Sequence, residues 1–335
     1  MNYYIGIDLG TSAVKLVLMD RYGEIIKTVS RTYPIYYPKS NYSEQNPVDW
    51  WNATMDGLTE LVDGFEKSNI EAIGVGGQMH GLVMLDKDDH VLRPAILWNN
   101  TRTGAETDFL NGVIGIERLQ TLTGNIAFAG FTAPKILWIK ENEPVVFARC
   151  KKICLPKDYI NYKLTGAFAT DVSDASGTLY FDVENRKWSS EMLDLLGIDE
   201  SCLPTVYESA EVIGKTNVLG LNCNVVAGAG DNAAAAIGTN TVNEGQCNIS
   251  LGTSGTVFIP TDHYVKTENP ALHSFCHANG KYHLMGCILS AASCNKWLME
   301  GIYQTTDYGA EQAYITEDML GRNHVFFLPY LMGAG

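Results

Sequence analysis

Apolar runs of strand length alternate with short polar turns at the start of the chain. Residues 3–9 are apolar and β-favouring, and a second such run over 14–19 follows after a short turn. This spacing predicts a strand, a tight turn and a strand. A further turn at 21–23 leads into 24–32, which is predicted to continue as a third antiparallel strand.

A helix is predicted after these three strands. Asn46 suits the N-cap position, Pro47 the first helical position and Asp49 the first turn, and the helical pattern runs to about Gly64. The apolar run over 70–75 then predicts a fourth strand. Because a helix separates this strand from the first one, the two can pair in parallel, so the block combines three antiparallel strands with a crossover unit.

The middle of the chain alternates between helical patterns and loops rich in Gly, Thr and Asp, as expected for an insertion. A short buried strand and an alanine-rich helix follow it. The elements predicted here are helices over 103–110, 133–141 and 157–164, a strand over 225–227 and a helix over 231–237.

The tetrapeptide Leu-Gly-Thr-Ser occurs twice, at 9–12 and 251–254, each time between two β-favouring runs. Such a repeat predicts two homologous domains, which we assign to 1–243 and 244–335. The elements predicted in the second domain are strands over 248–251 and 256–259, a helix over 290–301 and a strand over 325–328. With so few elements, the second domain is predicted to be incomplete.

Composition and charge narrow the classes of function. The chain has 335 residues, of which 46% are hydrophobic and 19% charged, so it can bury large cores. Its formal net charge of -14 disfavours nucleic acid and anionic membranes as partners, and the sequence has no basic patch. The start lacks a leader pattern, and no apolar run approaches the roughly 20 residues of a membrane span. A cytoplasmic protein is expected.

The cysteines and histidines give little sign of a metal site. Eight cysteines occur without a Cys-x-x-Cys pair, which predicts reduced thiols rather than disulfides. One cluster is dense enough to compare with a zinc site and comprises His273, Cys276, His277, His283 and Cys287. On two alternating strands these side chains point to both faces and do not converge on one ion, so a plain hairpin is predicted.

The first Gly-Thr-Ser turn, residues 10–12, has the composition of a phosphate-binding turn. It offers backbone N–H groups and hydroxyls without bulky side chains. Asp8 precedes the turn at the strand end, where a carboxylate can hold Mg²⁺, and Lys15 can add positive charge. The alternative is a hairpin whose turn merely requires glycine. Two copies of the turn on facing walls of a cleft favour phosphate binding.

Two further segments carry candidate chemistry. The glycine-rich loop over 74–81 contains Gln78 and His80, which are fit to hydrogen-bond a polyol, although His80 could equally be a satisfied structural imidazole. Asp231 begins a predicted helix, where the helix dipole favours its ionised form, so it is a candidate general base. Asn232 beside it could bind a neighbouring hydroxyl. The alternative for Asp231 is a simple N-cap.

The order of these motifs resembles that of a known protein family. The motifs are DLGTS at 8–12, GQMHG at 77–81, GFTAPKILWIKEN at 130–142, GDNAA at 230–234 and LGTSG at 251–255. They resemble the FGGY family of carbohydrate kinases, and the similarity covers the whole chain. Within the family, GQMHG, LPKDY at 155–159 and HSFCH at 273–277 are similar to the bacterial xylulokinases.

The resemblance implies duplicated actin-like ATPase (ribonuclease H-like) domains of α/β class, with sugar bound mainly by the first and ATP between the two. The matching positions give the implied roles: catalytic base, Asp231; sugar binding, Gln78, Met79, His80, Asp231 and Asn232; phosphate binding, Thr11, Ser12, Lys15, Gly252 and Thr253; magnesium, Asp8. Family members continue into a segment with a glycine-rich adenosine-binding motif, which this chain does not contain.

The reaction implied is the transfer of phosphate from MgATP to the 5-hydroxyl of D-xylulose in pentose catabolism. Two alternatives stay open. One is a kinase for another ketose or polyol, such as glycerol or gluconate, and the other is a truncated, non-catalytic sugar-binding module. Partners are expected to be the sugar and ATP, with a homodimer as the assembly to test.

Overall fold

The computed structural model describes residues 2–252, 254–267, 271–288 and 290–328, and the elements below lie within them. The strands are β1 Tyr3–Leu9, β2 Ala13–Asp20, β3 Ile25–Thr32, β4 Glu44–Gln45, β5 Ile70–Gly77, β6 Val83–Leu85, β7 Ala95–Ile96, β8 Lys152–Cys154, β9 Ala169–Asp171, β10 Phe181–Asp182, β11 Lys187–Trp188, β12 Thr205–Tyr207, β13 Val212–Thr216, β14 Cys223–Val226, β15 Ala229–Gly230, β16 Asn248–Leu251, β17 Gly255–Thr261, β18 His273–Cys276 and β19 Tyr282–Ile288. The α-helices are α1 Pro47–Val62, α2 Gly104–Phe109, α3 Ile116–Thr123, α4 Thr132–Asn142, α5 Pro144–Arg149, α6 Pro156–Thr165, α7 Val172–Ala175, α8 Ser190–Leu196, α9 Asp231–Gly238, α10 Ala292–Lys296 and α11 Tyr308–Gln312. Two π-helical segments, Leu110–Gly115 and Trp297–Ile302, continue α2 and α10.

A seven-stranded sheet organises the first part of the chain, with the order β13-β14-β5-β1-β2-β3 and β15 beside the end of β5. Strands β1, β2 and β3 are antiparallel, whereas β5 runs parallel to β1. The predicted arrangement of three antiparallel strands and a crossover unit is therefore confirmed. The strand predicted over 225–227 is present as β14, which is parallel to β5.

Helix α1 forms the crossover, and its start follows the predicted capping pattern. The Oδ1 atom of Asn46 accepts a hydrogen bond from the Val48 N–H at 3.1 Å, and Pro47 opens the helix. A Cβ on Gly57 would lie only 2.5 Å from a methyl carbon of Leu16, so glycine allows α1 to approach the sheet closely. The buried Leu58 packs into the same core, and burial of such a side chain stabilises the fold by about 1.5–3 kcal/mol.

The middle stretch forms a second apolar core beside the sheet rather than a separate body. Phe131 and Ile136 of the segment around α4 pack there with Met79, which follows β5. Phe275 and Met285, from the later strands β18 and β19, belong to the same core. The two parts of the chain therefore share buried apolar surface.

A second sheet, of order β16-β17-β19-β18, is built from residues after 247. Its strands pair antiparallel, and the predicted hairpin of β18 and β19 is confirmed. β18 is joined to the first part of the chain, because the Cys276 N–H donates to Ser176 Oγ at 3.0 Å and the Ser274 N–H donates to Asn125 Oδ1 at 3.1 Å.

One predicted element of the second part is wrong. Residues 325–328 are irregular, and no residue in the described part of the chain pairs with them. Their apolar side chains are exposed, including Phe326 at 87%. A strand needs a neighbour for its backbone N–H and C=O groups, and β-favouring side chains alone do not supply one.

Candidate active site

The candidate residues of the first part gather where three neighbouring strands end. Asp8 lies opposite Gly76 in the pairing of β1 with β5, and Ala229 lies opposite Gly76 in the pairing of β15 with β5. Asp231 follows β15 directly and begins α9. The parallel register thus brings Asp8, the loop after β5 and Asp231 to one edge of the sheet.

Asp231 is held with one carboxylate oxygen free of protein partners. Its Oδ1 accepts hydrogen bonds from the backbone N–H of Asn232 at 2.8 Å and from the Asn232 side chain at 2.9 Å. No hydrogen bond joins Oδ2 to any residue that the structure describes. Burial, together with the nearby negative charge of Asp8, raises the pKa of Asp231 to about 6, although the two hydrogen bonds from Asn232 act to lower it. Gly230, not Asp231, is the N-cap residue of α9.

The first Gly-Thr-Ser turn is braced by side chains from four other segments. The Thr11 hydroxyl donates to Gln78 Oε1 at 3.3 Å and accepts from Trp98 Nε1 at 2.9 Å. The Thr11 carbonyl accepts from Gln45 Nε2 at 2.7 Å, and Tyr33 donates to the Gly10 carbonyl. The turn is therefore held rigid, whereas Ser12 of the turn and Lys15 of β2 are exposed to solvent.

Gln78 serves the first turn rather than an open pocket. Its side chain is buried, and its amide nitrogen donates to Gln45 Oε1 at 3.0 Å and to the Gly10 carbonyl at 3.4 Å. With Oε1 bonded to Thr11, both ends of the amide have protein partners. The structure thus gives Gln78 a bracing contact that its position in the loop did not predict.

His80 is oriented by one hydrogen bond and one ring contact. Its Nδ1 lies 2.7 Å from the Gly177 carbonyl, and its ring stacks on Phe131 at 4.7 Å. Because a carbonyl only accepts, Nδ1 must carry the proton. Burial and the nearby Lys135 ammonium lower the pKa of His80 to about 3, so the ring is neutral at pH 7. Nε2 has no hydrogen-bond partner in the described part of the chain and carries a lone pair.

The signature segment at 130–142 supports the backbone of the same loop. Lys135 of α4 is fully buried, and its ammonium donates to the carbonyls of His80 and Gly130, both at 2.7 Å. The Thr132 hydroxyl donates to the His80 carbonyl at 3.2 Å. These bonds stabilise His80 at a backbone φ of 66°, a region that non-glycine residues rarely adopt.

Met79 and an aromatic wall complete the surroundings of His80. Met79 is buried against Gly230, where a Cβ would lie 2.9 Å from the Met79 sulfur. Phe275 and His273 of β18 stack on each other at 5.4 Å, and Phe275 lies 6.4 Å from His80. The second part of the chain therefore lines the neighbourhood of the predicted sugar loop.

The second Gly-Thr-Ser turn joins β16 to β17 as predicted, but Thr253 lies outside the described residues. Gly252 is exposed, and its carbonyl accepts from the Ala292 N–H at 2.9 Å. Thr256 of β17 donates to Asn232 Oδ1 at 3.4 Å, which connects this sheet with the start of α9. Among the described residues, no hydrogen bond joins the two turns to each other.

Asp8 offers one exposed carboxylate, a group that can hold a divalent cation such as Mg²⁺. Its exposed carboxylate lies close enough to Asp231 for each negative charge to disfavour the other, and desolvation raises the pKa of Asp8 while Lys15 lowers it. A cation would relieve that repulsion. A cavity of about 480 Å³ opens beside Asp8 and Lys15, and its other walls include glycine and alanine residues of β1, β5, β15 and α9.

Several residues at the site have no sequence pattern of their own. Gln45 of β4 and Trp98 of the segment after β7 reach the first turn from distant positions in the sequence, and Gly177 must lack a side chain because a Cβ would overlap the His80 ring. Lys157 and Asp171 lie beneath the loop that precedes Asp231. The LPKDY segment resembled the family, and that resemblance was the one signal that pointed to Lys157.

The fold and the site define the class of the protein as an α/β phosphotransferase of the actin-like ATPase fold. The sequence profile of the FGGY family of carbohydrate kinases, N-terminal domain, matches residues 3–238. The chain belongs to the FGGY family of carbohydrate kinases.

Relatives and solved structures agree with this assignment. The chain is 40% identical to the xylulose kinase of Escherichia coli K12 over 98% of its length and 69% of the relative's. It is similar to the "xyloylose kinase" from Brucella ovis, with a TM-score of 0.91 and 39% identity over 99% of this chain and 69% of that one. A gluconate kinase from Lactobacillus acidophilus superposes with a TM-score of 0.91 at 26% identity, again over 99% and 69%. Within the described residues, no helix is both long and apolar enough to span a bilayer.

Proposed function

We propose that the protein phosphorylates D-xylulose to D-xylulose 5-phosphate with ATP, as a step of pentose catabolism, and that Asp231 is the general base. The observation that carries the proposal is the carboxylate of Asp231, which has a free oxygen and a pKa of about 6 and follows Gly230, the residue that packs against Met79 of the predicted sugar loop. The names of the relatives, xylulose kinases at up to 40% identity, support the sugar.

The mechanism uses Asp231 to accept the proton of the sugar 5-hydroxyl. As that proton moves to Oδ2, the hydroxyl oxygen attacks the γ-phosphorus of ATP, the bond from that phosphorus to the bridging oxygen breaks, and ADP leaves. His80 accepts a hydrogen bond from another sugar hydroxyl at Nε2, and Met79 packs against the sugar carbons. Asn232 orients the Asp231 carboxylate through its two hydrogen bonds to Oδ1.

The phosphate chain is proposed to bind between the two Gly-Thr-Ser turns. The backbone N–H groups of Thr11 and Ser12 and the hydroxyls of Ser12 and Thr253 suit phosphate oxygens, Gly252 leaves room for them, and Lys15 adds a positive charge. Asp8 would hold Mg²⁺, which neutralises phosphate charge when bound. Gln78 contributes indirectly, because it braces Thr11.

We also propose that the chain divides near residue 244 into an N-terminal domain, 1–243, and the beginning of a second, 244–335. The family match that ends at 238 and the separate sheet formed after 247 support this boundary. Limited proteolysis tests it, with first cleavage expected between residues 239 and 247. A homodimer stays a prediction that light scattering can measure.

A coupled assay of ADP release tests the function. D-xylulose is expected to support turnover in the presence of MgATP, whereas other ketoses, glycerol and gluconate support less. The assay is run on the 335-residue chain and on a version extended to the length of the relatives. A higher turnover with another sugar would show that this sugar, and not xylulose, is the substrate. Gluconate must be included because a gluconate kinase is among the similar structures.

The Asp231→Ala variant separates a kinase from a sugar-binding module. Loss of the base is expected to abolish phosphoryl transfer while sugar affinity, measured by calorimetry, stays within about tenfold. Transfer that survives in this variant would show that Asp231 is not the base. Sugar binding without any turnover in the wild-type protein at either length would favour the non-catalytic module.

A further inference from the structure

A fully buried charge cluster lies beneath the loop that leads to Asp231. The Lys157 ammonium is 2.7 Å from Asp158 Oδ1, 3.1 Å from Asp171 Oδ1 and 3.9 Å from Asp174 Oδ2, and all four side chains have no exposed surface. Removing such charges from water is unfavourable unless their geometry and further hydrogen bonds compensate for it. The buried charges must therefore be compensated by their arrangement and by the hydrogen bonds around them.

Asp171 connects the cluster, through serine hydroxyls, to the backbone beside Asp231. Its Oδ2 accepts hydrogen bonds from the hydroxyls of Ser173 at 2.5 Å and Ser209 at 2.7 Å. The Ser173 oxygen in turn accepts a hydrogen bond from the Gly230 N–H at 3.1 Å. Because the hydroxyl proton of Ser173 is committed to the carboxylate, its lone pairs are directed to that N–H.

Lys157 and two residues beside the cluster, Asn161 and Ser209, hold the same loop at two more points. The Ala227 carbonyl accepts hydrogen bonds from Lys157 Nζ at 3.2 Å and from Asn161 Nδ2 at 2.8 Å. The Gly228 N–H donates to the Ser209 carbonyl at 3.0 Å. Three of the four residues before Asp231 are thus bonded to the cluster or to its serine partners, and all of these partners are buried.

We propose that Lys157, Asp171 and Ser173 are positioning residues that fix the Asp231 carboxylate for proton transfer. The inference rests on the proposed function, because it assigns a purpose to the loop only if Asp231 acts on a bound substrate. A displacement of about 1 Å at a reacting group can lower a rate by about 100-fold, so a loop fixed by backbone hydrogen bonds has a direct effect on turnover.

Ser173→Ala is the test variant, and Ser176→Ala is its matched control. Both serines are buried in the same short segment, and both donate to an oxygen and accept from a backbone N–H, but the Ser176 partners are the Val172 carbonyl and the Cys276 N–H. Each substitution is therefore expected to lower the melting temperature by a similar amount. The measurements are kcat, KM for the sugar and amide hydrogen exchange of the 227–231 segment, on the chain length that is active in the ADP-release assay.

The expected result separates positioning from stability. Ser173→Ala lowers kcat at least about tenfold with KM within about twofold and speeds exchange in 227–231. Ser176→Ala changes neither kcat nor that exchange by more than about twofold. Equal effects of the two variants on kcat would overturn the inference.

Two further outcomes keep the inference and the proposed function apart. A wild-type protein without turnover would refute the proposed function, whereas faster exchange confined to 227–231 in Ser173→Ala would still show that the cluster fixes this loop. If Ser173→Ala does not fold, Ser209→Ala removes the other hydroxyl donor to Asp171 and is expected to lower kcat about threefold, again with unchanged KM. An unchanged kcat in that variant would contradict the positioning role.

Discussion

At the scale of single residues, the two carboxylates Asp8 and Asp231 set the electrostatics of the site. Each is near the other, and Asp231 also loses hydration through burial, so the pKa of Asp231 rises to about 6. A base needs its ionised form, yet a pKa near the working pH preserves its strength as a proton acceptor. The environment therefore suits proton transfer at neutral pH.

The pH dependence of turnover follows from this pKa. The value of kcat/KM is expected to fall about tenfold per pH unit below pH 6, because protonated Asp231 cannot accept the substrate proton. Asp8→Asn removes a negative neighbour, lowers the pKa of Asp231 and moves this acid limb to lower pH in the residual activity. An acid limb that stays in place in Asp8→Asn would contradict the coupling of the two carboxylates.

Asp174 affects the stability of the fold rather than turnover. Its buried carboxyl oxygens have no hydrogen-bond partners in the described part of the chain. Burial raises the pKa of Asp174 well above 3.8. The unfolded chain then loses this proton at lower pH than the folded one, so the free energy of unfolding falls as pH rises above about 4, by up to about 1.4 kcal/mol per unit. Asp174→Asn is expected to flatten this fall above about pH 4 in denaturant titrations. The exposed control Asp108→Asn should retain the wild-type slope.

At the scale of elements, the turn after α7 sets the position of His80. Gly177 supplies the carbonyl that accepts from Nδ1, and its missing side chain leaves room for the imidazole. We expect Gly177→Ala to displace the ring and to raise KM for the sugar about 10- to 100-fold, because one oriented hydrogen bond and one ring position are lost. Steady-state kinetics measure this effect.

Gly104→Ala is the control for the Gly177 variant. Gly104 begins α2, and a Cβ there would meet nothing within 4 Å. Its KM should equal that of the wild-type protein. A Gly177→Ala protein with wild-type KM would mean that the imidazole does not contact the sugar.

The elements also show what the sequence could predict. Strands β1, β2, β3 and β5 and helix α1 were predictable because alternation, turn residues and an N-cap are local signals. The irregular segment 325–328 was not, since its apolar residues require a partner strand that no local pattern reveals. The bracing role of Gln78 was missed for the same reason, because its contacts with Gly10, Thr11 and Gln45 come from residues distant in sequence.

At the scale of the whole molecule, the second sheet is packed into the core of the first part. Phe275 of β18 has no exposed surface and packs in one apolar cluster with Phe131 and Met79. Hydrogen bonds from β18 to Asn125 and Ser176 add to this packing. The two parts of the chain that carry the repeats therefore share one buried apolar cluster.

Phe275→Ala tests this coupling. Loss of the buried ring is expected to lower the free energy of unfolding by about 3–5 kcal/mol, through lost burial and the cavity that remains. Phe326→Ala is the matched control, because that ring is 87% exposed and its loss should change stability by less than about 0.5 kcal/mol. Chemical denaturation measures both. Similar small effects of the two substitutions would show that β18 is only loosely attached.

If His80 binds the sugar as proposed, the proton on its Nδ1 limits which sugars can bind. Because that proton is donated to the Gly177 carbonyl, the other ring nitrogen, Nε2, can only accept a hydrogen bond. In a sugar derivative whose oxygen opposite Nε2 is methylated or oxidised to a carbonyl, an oxygen lone pair would face the nitrogen lone pair, and the two would repel each other. Chemical synthesis of such derivatives, one position at a time, would locate the hydroxyl that this nitrogen recognises.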